Sequence, residues 1–264
     1  MSTGTQASPP PGAKPASHTR RLLTLWIVLS IIGIIGTLIV FPIINPSGAS
    51  DAGNFSYLTN TVFTALAMPV AMFVVAMVVY SVWTFREEKP LDTPVEELED
   101  APHLVPKNSQ QIIWLVLTTV LALLTVAWGM FGFYSATTYN PPNPLVVNIT
   151  GQQWLWTFNY PKSGVSSTEL VLPEGRPVKL RVTSDDVLHG FVIPQLGVAM
   201  DANPGVVTTA PIVKPTRLGV FYVHCMELCG LYHTYMWSKV DVVTQATFAR
   251  WIASGGHDTG GSVS

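Results

Sequence analysis

PPNPLVVNITGQQWLWTFNYP, residues 141 to 161, is where the chain changes character. Before it lie long uncharged runs. Within it, LVVNIT mixes apolar and polar side chains, and Trp154, Trp156, Phe158 and Tyr160 recur at every second position. A period of two places such residues on one face of a strand, as in a sandwich core. The same short patterns continue downstream as TELVLP, PVKLRVTS, LHGFVIP, RLGVFYVH and MWSKVDVVT, separated by Gly, Pro and Asn turns. Seven or so short strands in about 110 residues suggest a two-sheet antiparallel sandwich or barrel. The closing ATFARWIASG reads as a short helix.

Upstream, Leu22 to Ile44, Tyr57 to Phe85 and Ile112 to Tyr134 are uncharged and mostly apolar. At about 1.5 Å per residue, each exceeds the roughly 30 Å hydrocarbon core of a bilayer. Composition agrees, with 48% hydrophobic and 11% charged residues. The expected organisation is therefore N-terminal transmembrane helices, three or two after processing, followed by an all-β domain. In residue numbers, a disordered cytoplasmic tail occupies 1–21 and a transmembrane helix or signal segment 22–44. Transmembrane helices follow at 57–85 and 112–135, flanking a polar cytoplasmic loop at 86–111, and the β domain fills 136–264. The tail is rich in Pro, Ser, Gly and Ala. The loop carries Glu87, Glu88, Glu96, Glu97, Glu99 and Asp100. Pro69 should bend the second helix.

Lys14, Arg20 and Arg21 precede the first run, and Arg86, Lys89 and Lys107 lie between the second and third. Basic residues stay on the cytoplasmic side, so the third helix delivers the β domain to the outer face. The first run is either a retained helix or the hydrophobic part of a signal cleaved near Gly48-Ala49-Ser50, and its length favours the helix. With 14 Lys and Arg against 16 Asp and Glu, no nucleic-acid partner is expected.

CMELCGLYHTYM, residues 225 to 236, spaces Cys225, Cys229, His233 and Met236 by four, four and three residues, and His189 lies upstream in DDVLHGF. The two cysteines are the only ones in the chain. Alone on an outer face they would read as a disulfide. His233 and Met236 at ligand spacing turn the reading to a metal. Thiolates and thioethers favour copper in its lower oxidation state while imidazole suits either state, so the mixed set fits a copper that cycles between them. A blue-copper site uses one cysteine. Two thiolates can each bridge two coppers, with one histidine capping each metal.

With these residues, and with GQQWLWTFNYP at 151–161 and IPQLGVAMDANPG at 193–205, the chain resembles subunit II of haem-copper cytochrome c oxidases over most of its length. The resemblance implies a cupredoxin-like Greek-key sandwich with the metal loop between its last two strands. It implies a dinuclear copper centre, CuA, held by His189, Cys225, the Glu227 backbone carbonyl, Cys229, His233 and Met236. Trp154 would admit electrons from cytochrome c or a similar outer-face donor, which Asp185 and Asp186 would help attract. The electrons would pass to haem in subunit I, where oxygen is reduced to water and protons are pumped. The chain would thus be the electron-transfer subunit of an oxidoreductase whose oxygen chemistry lies elsewhere.

The Glu227 carboxylate is expected at a magnesium ion shared with subunit I. Subunit III, other oxidase subunits and membrane lipid complete the expected partners, in a respiratory plasma membrane. Five residues depart from the family pattern. Leu155 stands where an aromatic is usual, Val206 where many relatives carry arginine, Met226 where a small or polar residue is common, and Gln110 and Gln111 where many place a glutamate at a proton channel. A quinol oxidase subunit would lack the copper ligands, a copper-delivery protein would need only one metal, and a nitrous oxide reductase would have a large propeller domain in place of the membrane hairpin.

Overall fold

Three apolar helices come first: α1 (Pro15–Ile44), α2 (Asp51–Thr84) and α3 (Asn108–Thr138). The computed structural model describes residues 15–45, 47–84 and 108–257. All three helices are long and apolar enough to cross a membrane, and residues such as Ile32, Val70 and Phe131 are left exposed on them. The helices outrun the apolar segments expected from sequence. Residues 15–21, expected in the tail, are helical, and α3 takes in the end of the expected 86–111 loop. Hydropathy marks only the lipid-facing length of a helix, whereas backbone hydrogen bonding continues into polar flanks. Pro15 is tolerated at the first position because the missing N–H has no partner there. The tail before residue 15 and the loop carboxylates Glu87 to Asp100 lie outside the described residues.

The chain divides into two units. In the first, α1 packs on α2 from Asn60 onward. Trp26 Nε1 donates to the Pro69 carbonyl at 2.8 Å and its ring meets Phe73 edge-on at 5.7 Å. The helix is continuous through Pro69.

The second unit contains residues 46–59, α3 and the β domain. Ser50 caps α2 by accepting the Gly53 N–H at 2.9 Å, and its hydroxyl donates to the Leu196 carbonyl at 2.7 Å. Ala49 N–H donates to Gln195 O at 2.6 Å, and Ala49 O accepts from Thr216 N–H at 2.8 Å. Phe55 stacks on Trp128 of α3 with centroids 5.8 Å apart.

Ten strands form the β domain: β1 (Leu145–Gln152), β2 (Leu155–Tyr160), β3 (Val165–Ser167), β4 (Leu170–Pro173), β5 (Val178–Ser184), β6 (His189–Ile193), β7 (Val198–Ala202), β8 (Thr208–Thr209), β9 (Gly219–Cys225) and β10 (Trp237–Val243). One sheet runs β3-β2-β1-β5-β8 and the other β4-β10-β9-β6-β7. This is the two-sheet arrangement expected of a cupredoxin-like Greek key. All seven expected strands are present. The sheets are mixed and not purely antiparallel, because β1 pairs with β5, and β4 with β10, in parallel. Between β3 and β5 the chain crosses to the other sheet and returns, so β5 comes back beside β1 running the same way.

Val147 and Ile149 of β1, Trp156 and Phe158 of β2, Phe191 of β6 and Val240 of β10 are fully or almost fully buried between the sheets. A terminal helix, α4 (Gln245–Ala253), is capped by Thr244, whose hydroxyl accepts the Thr247 N–H, and it buries Phe248 and Trp251 against this core.

Tyr160 ties the two sheets together. Its hydroxyl donates to Val171 O and accepts from Val171 N–H, both at 2.8 Å, so β2 of one sheet is bonded to β4 of the other. Burial holds its phenol well above the ordinary tyrosine value, partly offset by the Val171 N–H. Tyr160→Phe should cost about 1–3 kcal/mol by leaving both Val171 groups without a partner. Because the folded value is raised, this contribution is intact below the unfolded value of about 10 and is lost as pH rises beyond it. Thermal unfolding of the full chain in detergent should therefore show a midpoint that falls above that pH, with a shallower fall in Tyr160→Phe. Equal slopes in both proteins would contradict the assignment.

Candidate metal centre

The segment from Cys225 to Met236 is the connection between β9 and β10. Register carries the hairpin to its mouth, where Trp237 pairs with His224 and Cys225 N–H donates to Met236 O at 3.0 Å. The residues between fold back over the end of the sandwich and include a helical turn at His233–Tyr235. The loop can lie this close to β6 only because Gly190 has no side chain: a Cβ there would meet the Glu227 nitrogen at 2.8 Å. Met226 N–H donates to the Gly190 carbonyl at 3.0 Å.

The structure brings the expected ligands together, with His189, Cys225, Cys229 and Met236 buried, His233 half-buried and the Glu227 side chain exposed. Cys225 Sγ and Cys229 Sγ lie 3.6 Å apart, far beyond the roughly 2.05 Å of a disulfide, and both are free thiols. Each has its own imidazole: His189 Nδ1 is 3.9 Å from Cys225 Sγ, and His233 Nδ1 is 3.5 Å from Cys229 Sγ. Each also has a weaker donor. Glu227 O is 3.3 Å from Cys225 Sγ, and Met236 Sδ is 3.7 Å from Cys229 Sγ. Burial and the neighbouring Cys225 push the Cys229 thiol up to about 11. An anionic sulfur here therefore calls for a cation, and metal binding must release protons. Soft sulfur and imidazole nitrogen, with no carboxylate pointed into the cluster, fit copper.

His189 is fully buried at the start of β6. Its Nε2 is 2.8 Å from Asp186 Oδ1. A carboxylate only accepts, so Nε2 carries the proton and Nδ1 presents its lone pair to the sulfurs. Asp186 is itself fixed by the Gln153 and Val187 N–H groups, each at 2.6 Å. Its partial burial raises the carboxyl, but the hydrogen bonds from Gln153, His189 and Val187 outweigh this and hold it at about 2. Asp186, expected as a donor-docking acid, is thus engaged in positioning His189, and both it and Asp185 are exposed. The acid three residues before the histidine in DDVLH was the signal for this pair.

Trp154 lies between β1 and β2 and is half-buried. Its ring meets Tyr232 edge-on at 4.8 Å. Gly230, at φ 120°, lets the metal loop rest on the indole, since a Cβ there would come within 3.3 Å of the ring. Gln153 Nε2 donates to the Cys229 carbonyl at 2.7 Å. Tyr232 and Gln153 were not singled out from the sequence. Leu155 is exposed, as are the side chains of Glu227, His224 and Met226.

Residues 164–243 match the family described as "Cytochrome C oxidase subunit II, periplasmic domain". The chain is 45% identical over 107 residues to cytochrome c oxidase subunit 2 of Thermostichus vulcanus, a stretch covering 40% of this chain and 32% of that protein. Against cytochrome c oxidase subunit 2 of Cereibacter sphaeroides, identity is 25% over 247 residues, covering 78% of each. The solved periplasmic domain of cytochrome oxidase subunit II from Bradyrhizobium japonicum is 31% identical over 44% of this chain and 95% of that one, with a TM-score of 0.42. The match to the Thermostichus protein thus spans less than a third of that relative's length. Over residues 164–243 the chain is thus similar to the periplasmic domain of cytochrome c oxidase subunit II.

Asp186→Asn should weaken copper binding about 10- to 100-fold by releasing the His189 ring. A competition titration against a copper chelator measures this, and unchanged affinity would remove Asp186 from the site.

Proposed function

We propose that this chain is the electron-accepting subunit of a proton-pumping cytochrome c oxidase. With two coppers held by His189, Cys225, the Glu227 carbonyl, Cys229, His233 and Met236, it would take single electrons from cytochrome c or a similar outer-face donor. It would pass them to haem in subunit I, where oxygen is reduced to water. The observation that carries this reading is the pair of unjoined buried thiols 3.6 Å apart, each with its own imidazole. A copper pair held by these residues would supply a one-electron couple.

The protein's own part is to hold those donors still and dry. β6, β9 and β10 fix three sides of the cluster, and Cys225, Cys229, His189 and Met236 are all buried. Trp154 would admit the electron, since it touches both the half-exposed Tyr232 and the glycine next to Cys229. Asp185 would contribute a modest attraction to a basic donor.

The exposed Glu227 carboxylate would reach a magnesium ion completed by subunit I, because magnesium prefers several oxygen ligands. Gln111, in the first turns of α3, cannot relay a proton as an acid, so proton uptake would use another group. The helices would span the respiratory plasma membrane with the β domain outside, in company with subunit III and other oxidase subunits. The first helix would be retained, since Ala49 and Ser50, where a signal would be cut, are buried and bonded into the β domain.

Paramagnetic resonance and absorption of the copper-loaded protein test this reading. Purple colour and a hyperfine pattern from one electron shared by two copper nuclei are expected, and a pattern from a single copper nucleus would overturn it. Cys225→Ser and Cys229→Ser should each abolish the two-copper spectrum, and its survival in both would exclude bridging thiolates. Trp154→Ala should slow electron uptake from the donor while leaving the spectrum intact; an unchanged rate would move the uptake route elsewhere.

A further inference from the structure

We propose that the second unit binds one zwitterionic phospholipid, with its acyl chains in an apolar cavity and its headgroup between Lys214 and Asp51. The cavity measures about 560 Å³, inside the range of roughly 300–1,000 Å³ typical of small-molecule sites. Three parts of the chain build it: the first turns of α2, the last turns of α3, and the β-domain stretches at 197–199 and 210–214. Phe55, Phe131, Val198 and Ile212 supply apolar wall. α3 closes tightly on the Phe55 ring, because a Cβ on Gly132 would come 2.4 Å from it.

Among the described residues, two charged side chains line this space, Lys214 and Asp51. Neither takes part in the ion pairs found among the described residues. A separated cation and anion at the rim of an apolar cavity complement a headgroup that carries both a phosphate and an amine. A purely anionic headgroup would meet Asp51 as well as Lys214. The depth also fits. Asp51 opens α2, and Tyr139 follows the end of α3, so both stand where membrane-crossing helices leave the hydrocarbon and where tyrosine is favoured. Phe55 lies one turn further along α2 and Phe131 two turns back along α3, toward the hydrocarbon. The inference rests on these helices crossing a bilayer and is independent of the copper reading.

The test is native mass spectrometry of the full chain in a non-ionic detergent, titrated with phosphatidylethanolamine, phosphatidylglycerol or soluble phosphoethanolamine. One phosphatidylethanolamine should bind per chain, more tightly than phosphatidylglycerol, and phosphoethanolamine alone should not be retained. Lys214→Glu should weaken phosphatidylethanolamine binding by at least about fivefold, since losing one positive charge near a headgroup is alone worth that much. Ala136→Trp, which fills the cavity wall, should abolish it. Lys214→Glu changes a half-exposed surface residue and so reports on the headgroup even if Ala136→Trp does not fold. Equal affinity for the two lipids, retention of the headgroup fragment alone, or unchanged binding in Lys214→Glu would overturn the proposal.

Discussion

One backbone hydrogen bond, from Cys225 N–H to Met236 O, closes the loop on which the metal centre depends. It fixes two candidate ligand residues at the mouth of a hairpin whose strands are already locked in register by the sandwich. The loop then has only to bring Cys229 and His233 back over that mouth. β6 contributes His189 from a separate part of the sequence, so the cluster assembles only when the β domain is folded. Two thiols held near one another without joining are the direct result of that frame.

Metal chemistry and fold energetics meet at His189. Packing alone would not decide which of its nitrogens is protonated, but Asp186 fixes the protonated nitrogen and leaves the other toward sulfur. Asp186 is in turn fixed by backbone N–H groups of the β1–β2 turn and of its own loop. The same turn carries Trp154, and the neighbouring Gln153 side chain holds the Cys229 carbonyl. One short turn therefore orients His189 through Asp186, braces the Cys225–Met236 loop and carries the Trp154 ring. Leu228 and Leu231, on the same loop as the two cysteines, are exposed.

Much of this was legible in the sequence because the residues concerned announce their chemistry by type or by period. The strands β1, β2, β5, β9 and β10 show a clear two-residue alternation, and the ligands are soft donors at close spacing. β3, β7 and β8 were missed because they are short and owe their pairing to neighbours more than to pattern. The parallel pairings were missed because alternation sets a strand's faces but not its direction. Asp186 looked like a surface acid because its engagement arises from a histidine three residues on and from N–H groups that sequence does not reveal. Helix ends were underestimated because hydropathy reports the lipid, whereas hydrogen bonding sets where a helix stops.

The most direct measurement of the central claim is X-ray absorption at the copper edge of the intact membrane protein. The account predicts scattering from sulfur and imidazole together with a short copper–copper vector, in a sample holding two coppers per chain. A single copper without a metal neighbour, or a metal-free chain whose cysteines are joined as a disulfide, would contradict it.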